Sequence, residues 1–256
     1  MNEIDISIIE YLNQSNEKLK PFNDNIDFIP ICQFIYKSIK SKDYNNIPQS
    51  IINLRRLLKY EEAIFETLFD TISHLVYYII KSEDENIKEE ILIFLCEIIF
   101  KRRSFGKFIY DWLSEFIFNL IKISINDSNS KIKLLAEFIL NNLTEDVGML
   151  KIFIRNFHLT DDNNFHMKAY NLFIQTLIKN VELIKEGIHI NWNEIYRFLN
   201  HIYIQGGKDL VLKSVNEIKK ICKNNGIDYQ IILEQFDEYG IINSNLIEEI
   251  RNKNIK

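Results

Sequence analysis

The 256-residue sequence predicts an all-α fold, and three features of the chain lead to this prediction. Seven glycines and three prolines are too few for the many turns that a β architecture of this length needs. Apolar residues recur every three to four positions in almost every segment, and no segment sustains the period of two that marks a strand. Short polar loops recur about every 40 residues, the length of one helix pair in a helical repeat.

Helix boundaries follow from prolines and capping residues. The first helix, Ile4–Leu19, is amphipathic and ends before Pro21, because proline cannot continue an α-helix. A helix over 47–59 follows Asn45 and Asn46, either of which is suited to cap its first turn. The remaining predicted helices cover 31–39, 62–81, 85–102, 107–124, 129–143, 146–156, 163–179, 192–204, 208–223, 228–236 and 244–252.

The spacing of the polar loops predicts how these helices are arranged. A helix pair with a period of about 40 residues is typical of HEAT and armadillo repeats, which stack side by side into an α-solenoid. We expect about six such pairs, with an N-terminal extra helix at 1–20, the repeat array at 21–223 and C-terminal helices at 224–256. An irregular helical bundle is the alternative. The loops that would line one edge of the solenoid are Ser41–Asp43, Ser82–Glu85, Asn126–Asn129, Asp161–Asn163 and Gln205–Gly207.

Composition narrows the function classes. The net charge of -5 argues against a general nucleic-acid binder, which is normally basic. No apolar run reaches the length of about 18 residues that a membrane span needs, and the N-terminus lacks the pattern of a signal peptide. Cys32, Cys96 and Cys222 lie far apart in apolar helical stretches, which predicts buried, reduced thiols in a cytoplasmic protein.

The sequence offers no pattern of a catalytic or cofactor site. It contains neither a Gly-rich phosphate loop nor a nucleophile elbow, and the five histidines lack the spacing of metal ligands. We therefore predict a non-enzyme without metal or cofactor. Arg55 and Arg56 are adjacent basic residues of the third predicted helix, and we expect them to pair with nearby carboxylates such as Glu61 or Glu62.

Several stretches together resemble one family. The first repeat of TOG domains of the CLASP and crescerin type is similar to SKDYNNIPQSIINLRRLLKYEEAIF, and the second repeat to SEDENIKEEILIFLCEIIFK. The third and the start of the fourth are similar to RSFGKFIYDWLSEFIFNLIKISINDSNSKIKLLAEFILNNLTEDV. The fourth and fifth loops fall at LTDDNNFHMKAYNLFIQTLI and GGKDLVLKSVNEIKKI, so that the resemblance covers roughly residues 25–223.

This resemblance implies a flat paddle of HEAT repeats whose intra-repeat loops bind tubulin heterodimers. In the family an aromatic residue of the first loop packs against tubulin, and basic residues of later loops face its acidic surface. Tyr44 falls at the aromatic position, where the family has Trp. The basic positions that the resemblance implies are Lys42, Lys88, Lys131, Lys133, His166 or Lys168, and Lys208.

Two departures leave a second function open. The second loop is acidic at Glu83–Glu85, and the fourth contains Asp161 and Asp162, so that an acidic partner would bind weakly. The alternative is a HEAT-type scaffold or a regulatory subunit that binds a non-tubulin protein, as in a centriolar, ciliary or transport complex. Both functions place the protein in the cytoplasm, with the cytoskeleton, the cilium or the centrosome as narrower expectations, and neither fixes the oligomeric state.

Overall fold

The computed structural model describes residues 3–22, 28–41, 43, 45–101, 113–146, 148–157, 159–180, 208–224 and 226. The chain divides into two compact units, Met1–Leu143 (unit 1) and Thr144–Lys256 (unit 2). All regular elements of the described residues are helices, which confirms the predicted all-α class. The predicted helices at 192–204, 228–236 and 244–252 lie outside the described residues.

Unit 1 contains the N-terminal helix and three helix pairs. Its helices are α1 (Glu3–Glu17), α2 (Phe28–Ser41), α3 (Ile47–Tyr60), α4 (Glu62–Ile79), α5 (Glu85–Lys101), α6 (Leu113–Asn126) and α7 (Ser130–Leu143). The pairs are α2–α3, α4–α5 and α6–α7. Helices α3, α5 and α7 pack side by side in one layer, and α2 packs against α4 in a second layer. This arrangement is consistent with successive helix pairs of a helical repeat.

Long-range side-chain contacts in unit 1 repeat at a nearly constant separation. Lys88 contacts Asp127, 39 positions away, and Ser128 contacts Glu85 at a separation of 43. Tyr77 of α4 bonds Glu115 of α6 at a separation of 38. These separations agree with the predicted period of about 40 residues and arise because equivalent positions of successive helix pairs are neighbours.

The core of unit 1 lies between the two layers. Every residue from Ile91 to Ile98 of α5 is buried, and Phe94 packs edge to face on Phe65 of α4 with ring centroids 6.1 Å apart. A helix that is buried along most of its circumference belongs in the middle of a layer. Helix α5 therefore forms the centre of the unit, between α3 and α7.

Helix α1 lies across the layer of α3, α5 and α7. It packs against α5 and α7 and reaches α3 through polar side chains. Its apolar residues Ile8 and Leu12 are buried, as is Leu19 directly after the helix. The chain leaves α1 at Glu17, two residues before the predicted end.

The two arginines of α3 have partners other than those predicted. Arg55 is buried (2% exposed) and forms ion pairs with two carboxylates of α5, Glu90 and Glu97. Arg56 donates to main-chain oxygens of the segment that follows α1. Pairing with Glu61 or Glu62 is therefore wrong, because the Arg55 guanidinium faces the carboxylates of α5 and that of Arg56 is engaged by the segment after α1 and by Asn53 Oδ1 at 3.1 Å.

Unit 2 is described over three helices: α8 (Met149–Phe157), α9 (Asn163–Lys179) and, after the undescribed stretch, α10 (Lys208–Asn224). Helix α9 packs against both α8 and α10. Asp162 caps α9, since its side-chain oxygen accepts from the main-chain N–H of Asn164 and Phe165. The Asn180 amide donates to Thr144 O (3.1 Å) and so joins the end of α9 to the start of the unit.

Two further predictions concern the burial of the cysteines and the ability of a helix to span a membrane. Cys32, Cys96 and Cys222 are all buried and free, as predicted. Burial raises the pKa of Cys32 and of Cys222 to about 11 and that of Cys96 well above its ordinary value. Within the described ranges, none of the helices combines the length and the apolar character that crossing a membrane requires.

Candidate functional site

The loops within the helix pairs of unit 1 lie at the ends of the packed helices, and we call them and the first turns that follow the loop edge. Its described residues are 43 and 45–46 between α2 and α3, 80–88 between α4 and the first turn of α5, and 127–133 between α6 and the first turn of α7. Two of these loops touch: Lys88 Nζ lies 3.0 Å from Asp127 Oδ2, and Ser128 Oγ lies 3.5 Å from Glu85 Oε1. The second and third loops therefore form one continuous surface.

Local capping fixes the conformation of these two loops. The Asp84 carboxylate accepts from Ile87 N (3.0 Å) at the start of α5. Asp127 Oδ1 accepts from Asn129 N, and Asn129 Oδ1 accepts from Lys131 N, both at 3.0 Å. Asp and Asn side chains favour such bonds to main-chain N–H groups two or three residues ahead. The polar residues of the loops are thus used to start the helices.

Lys88, a predicted contact residue, is partly buried in an ion pair. Its side chain is 18% exposed and that of its partner Asp127 is 5% exposed. Asp127 also accepts the loop bond from Asn129, so that its carboxylate is satisfied on both oxygens. The positive charge of Lys88 is therefore largely neutralised within unit 1.

Lys131 lies in a three-residue cluster that joins α1, α5 and α7. Its Nζ is 2.5 Å from Glu89 Oε1, and it lies 3.9 Å from the centroid of the Tyr11 ring. The Tyr11 hydroxyl donates to the same Glu89 oxygen at 2.6 Å. Desolvation by itself would lower the pKa of Lys131, but the hydrogen bonds to Glu89 and Tyr11 outweigh it and raise that pKa.

The pKa of Glu89 is shifted in the opposite direction to that of Lys131. Burial acts to raise its pKa, yet the bonds from Lys131 and Tyr11 hold that pKa below its ordinary value. Both partners therefore stay charged near neutral pH. Sequence reasoning singled out Lys131 but missed Tyr11 and Glu89, because the three residues are brought together by the position of α1, which no local pattern encodes.

The other predicted residues of unit 1 are Lys42, Tyr44 and Lys133. Lys42 and Tyr44 lie outside the described residues. Lys133 is half-buried in the first turn of α7, where its main-chain N–H bonds Asn129 O at 3.1 Å. Lys88 and Lys131 each form an ion pair, whereas the Lys133 side chain forms none within the described ranges.

In unit 2 the predicted residues lie at the starts of two helices. His166 is buried (7% exposed), with its Nε2 2.6 Å from Thr160 O. It therefore supports the loop before α9 and does not present its ring to a partner, which leaves Lys168, half-buried in the same helix, as the basic position of that loop. Lys208 is the first residue of α10.

The charge of the described loop edge is mixed. Its exposed acidic residues are Asp43, Glu83, Asp84 and Glu85. Against them stand three lysines in ion pairs, Lys81, Lys88 and Lys131, and the half-buried Lys133. The described loop edge is consequently not the strongly basic surface that suits an acidic partner.

A second exposed surface was not predicted. On α2 and α4 the rings of Tyr36 and Tyr78, 39% and 42% exposed, pack edge to face with centroids 6.0 Å apart. Lys40 Nζ lies 4.8 Å from the Tyr36 centroid, and Lys81 Nζ lies 4.1 Å from the Tyr77 centroid. The i, i+4 spacing of each Tyr–Lys pair is visible in the sequence and is the signal that could have found it.

The described residues contain no group of three or more His, Cys, Asp or Glu side chains placed to hold a metal ion. A scan of the chain against protein-family models finds no match, and no curated protein matches it. The similarity to TOG domains therefore remains a resemblance between sequence patterns.

Proposed function

We propose that this chain is a non-catalytic protein-binding module of the helical-repeat type. The observation that supports this function is the joining of the second and third loops by Lys88–Asp127 and Ser128–Glu85 into one continuous surface. Contacts at separations of about 40 residues place equivalent loops side by side, and such rows of loops serve repeat proteins as extended binding surfaces.

The first partner we propose is the tubulin heterodimer, which the resemblance to TOG domains implies. In this proposal the loop edge docks on tubulin with Tyr44 as the aromatic anchor. Exposed aromatic residues with a polar tip are frequent anchors of interfaces. Lys133 supplies the positive charge, since Lys88 and Lys131 are engaged with Asp127 and Glu89.

The second partner class is a non-tubulin protein, for which the chain acts as a scaffold or regulatory subunit. The ion pairs of Lys88 and Lys131 favour this candidate because a partner that used either lysine would have to break an existing pair. The exposed carboxylates of the second loop favour it as well, because they repel an acidic surface.

Co-sedimentation with tubulin at low salt separates the two candidates. If tubulin is the partner, we expect wild type to bind in the micromolar range and Lys133→Glu to weaken binding about tenfold, by about 1.4 kcal/mol. Tyr44→Ala should have a similar or larger effect. Lys37→Glu is the matched control, because Lys37 is an exposed lysine of α2 outside the loop edge.

Absence of wild-type binding at low salt would refute tubulin as the partner and leave the scaffold function. Equal binding by wild type and all variants would refute the loop edge as the docking surface. Lys131→Glu is unsuitable as the primary variant, since it also places two carboxylates together at Glu89 and so perturbs the fold.

A further inference from the structure

Helix α3 holds the end of the α1 segment by its main-chain oxygens. Three side chains of α3 make these bonds, and their donors come from the last two turns of the helix. The bonds run from Lys59 Nζ to Asn16 O (2.6 Å), from Tyr60 OH to Leu19 O (2.7 Å), and from Arg56 Nε to Lys20 O (2.7 Å) and Nη2 to Pro21 O (2.9 Å).

One of these four acceptors, Asn16 O, lies in the last turn of α1, and the other three belong to the segment that follows the helix. The last carbonyl groups of an α-helix have no partner within the helix and carry partial negative charge. Arg56 and Lys59 bring positive charge to this end of α1, and Tyr60 adds a neutral donor. Because main-chain oxygens are present in and after the last turn of every helix, this set of donors does not require a particular side-chain sequence there.

Side chains of α1 add a small number of specific contacts. Ile8 and Leu12 are buried one turn apart, and Leu19 is buried eleven positions after Ile8. The Tyr11 hydroxyl bonds Glu89, and Ser15 Oγ accepts from Arg55 Nη2 at 2.8 Å. Among the residues of this segment whose burial is described, these three apolar anchors are few beside α5, which buries every apolar residue from Ile91 to Ile98.

The fit of α1 is incomplete at its centre. A cavity of about 280 Å³ lies between α1, α3 and α5. Asn16 lines it, and the buried Asn16 Oδ1 has no hydrogen-bond partner among the described residues. The cavity is large enough to hold water, and an unpaired buried oxygen costs free energy, so that a helix with a larger apolar side chain here would remove apolar surface from water and bind this face more tightly than α1 does. The residues that line the cavity are Ile9, Leu12, Asn13, Asn16, Arg55, Leu58, Lys59 and Glu97.

From these contacts we propose that the face of α3, α5 and α7 covered by α1, which we call the α1-binding face, is a docking site for an amphipathic helix of a partner protein. Helix α1 is its intramolecular occupant and is displaced when that partner binds. The partner helix carries apolar residues spaced like Ile8, Leu12 and Leu19, has an apolar residue in place of Asn16, and ends at Arg56, Lys59 and Tyr60. This site adjoins the loop edge at Lys131, which lies under the Tyr11 ring, but it does not depend on binding at the loop edge.

A peptide of residues 3–22 carrying a fluorescent label is the probe, and the full chain carrying Leu12→Asp is the receptor. This substitution weakens the attachment of α1 and leaves the α1-binding face unchanged. We expect the peptide to bind Leu12→Asp at least about tenfold more tightly than wild type, whose own α1 competes for the face. A peptide carrying Asn16→Leu should bind about tenfold more tightly than the native peptide, because it fills the cavity.

Matched controls test where the peptide binds. On the Leu12→Asp background, Lys59→Met together with Arg56→Gln should weaken binding about tenfold or more, whereas Lys37→Met on α2 should leave it unchanged. A peptide that itself carries Leu12→Asp should not bind. Equal binding to wild type and Leu12→Asp, or no binding to a folded Leu12→Asp chain, overturns the proposal.

Two further measurements cover the remaining outcomes. If Leu12→Asp does not fold, hydrogen exchange of the wild type decides: α1 amides that exchange at least about tenfold faster than those of α5 support displacement, and equal protection overturns it. Sedimentation velocity of the wild type tests the other occupant. A dimer that exchanges α1 between copies would make the occupant a second copy of this chain and overturn the proposal of a partner protein.

Discussion

Arg55 provides the sharpest test of how unit 1 is held together. It makes four hydrogen bonds: two to Glu97 (3.0 and 2.8 Å), one to Glu90 (2.9 Å) and one to Ser15 (2.8 Å). It therefore joins α1, α3 and α5 through one side chain. Replacing it by methionine keeps much of its length and apolar stem but leaves the Glu97 carboxylate, 8% exposed as a residue, without its counter-charge.

The size of the expected loss of stability follows from this geometry. Hydrogen bonds to charged groups contribute about 1.5–3 kcal/mol each, so that four of them set an upper limit of about 6–12 kcal/mol. The net loss is smaller because the variant no longer has to desolvate a guanidinium group. Breaking a buried ion pair costs about 3–5 kcal/mol, and we expect Arg55→Met to lower the free energy of unfolding of unit 1 by this amount at neutral pH.

The loss should depend on pH with a definite sign. Burial raises the pKa of Glu97 even though the bonds and the charge of Arg55 lower it, and removal of Arg55 raises that pKa further. Above the ordinary carboxyl pKa the folded variant then binds a proton that the unfolded chain does not, and its stability falls as the pH rises through this window. The deficit of Arg55→Met relative to wild type should therefore be smaller at about pH 5 than at about pH 7.5.

Urea unfolding with hydrogen exchange of α5 peptides as the readout measures unit 1 by itself. The control is Arg55→Met combined with Glu97→Leu, which removes both charges and should return to within about 1 kcal/mol of wild type, because an apolar pair replaces a buried ion pair without large loss. A single-variant loss below about 1 kcal/mol, or a loss that is equal at both pH values, would refute the role assigned to this pair.

Three further predictions each test one feature. Asn16→Leu should stabilise α1 by about 1 kcal/mol, because it fills the cavity and removes the unpaired oxygen, and slower hydrogen exchange of the α1 amides would show this. Gln14→Leu, at an exposed position of the same helix, is the control and should have little effect. Asp162→Ala should destabilise unit 2 by about 1 kcal/mol through the lost cap of α9, whereas the neighbouring Asp161→Ala should not, as thermal unfolding of the two variants will show. The three cysteines should resist a thiol reagent near pH 8 in the native chain and react fully in denaturant, because burial raises their pKa and blocks access; fast reaction of Cys96 in the native chain would contradict its burial.

The helices of this chain could be predicted from sequence because their signals are local. The predicted helix at 163–179 has the observed bounds Asn163–Lys179, and the one at 47–59 is observed as Ile47–Tyr60. The predicted start at residue 146 is wrong because Asp146 forms a turn before the helix, its carboxylate accepting from Gly148 N at 2.8 Å, and α8 begins at Met149. Helix ends are defined to within one or two residues at best, so that such shifts are expected.

The partners of the charged residues could not be predicted in the same way. Local spacing suggested Glu61 or Glu62 for Arg55, yet its carboxylate partners lie 35 and 42 positions away, in the next helix pair. Asn46 is the N-cap residue of α3, as one of the two predicted choices, but its side chain makes no capping bond. Side-chain partners across helices depend on how the pairs stack, and the sequence patterns define the period of that stacking but not its register.

Tyr11 connects the two proposed surfaces through one hydrogen bond. Its hydroxyl and Lys131 bind the same oxygen of Glu89, and its ring covers the Lys131 ammonium group at 3.9 Å. When a partner helix displaces α1, both the ring and the hydroxyl leave, whereas the pair between Lys131 and Glu89 can persist. Lys131 then becomes more exposed at the loop edge without gaining net charge, because Glu89 is exposed with it. A partner that binds the α1-binding face would consequently change the shape of the loop edge near α7 more than its electrostatic potential.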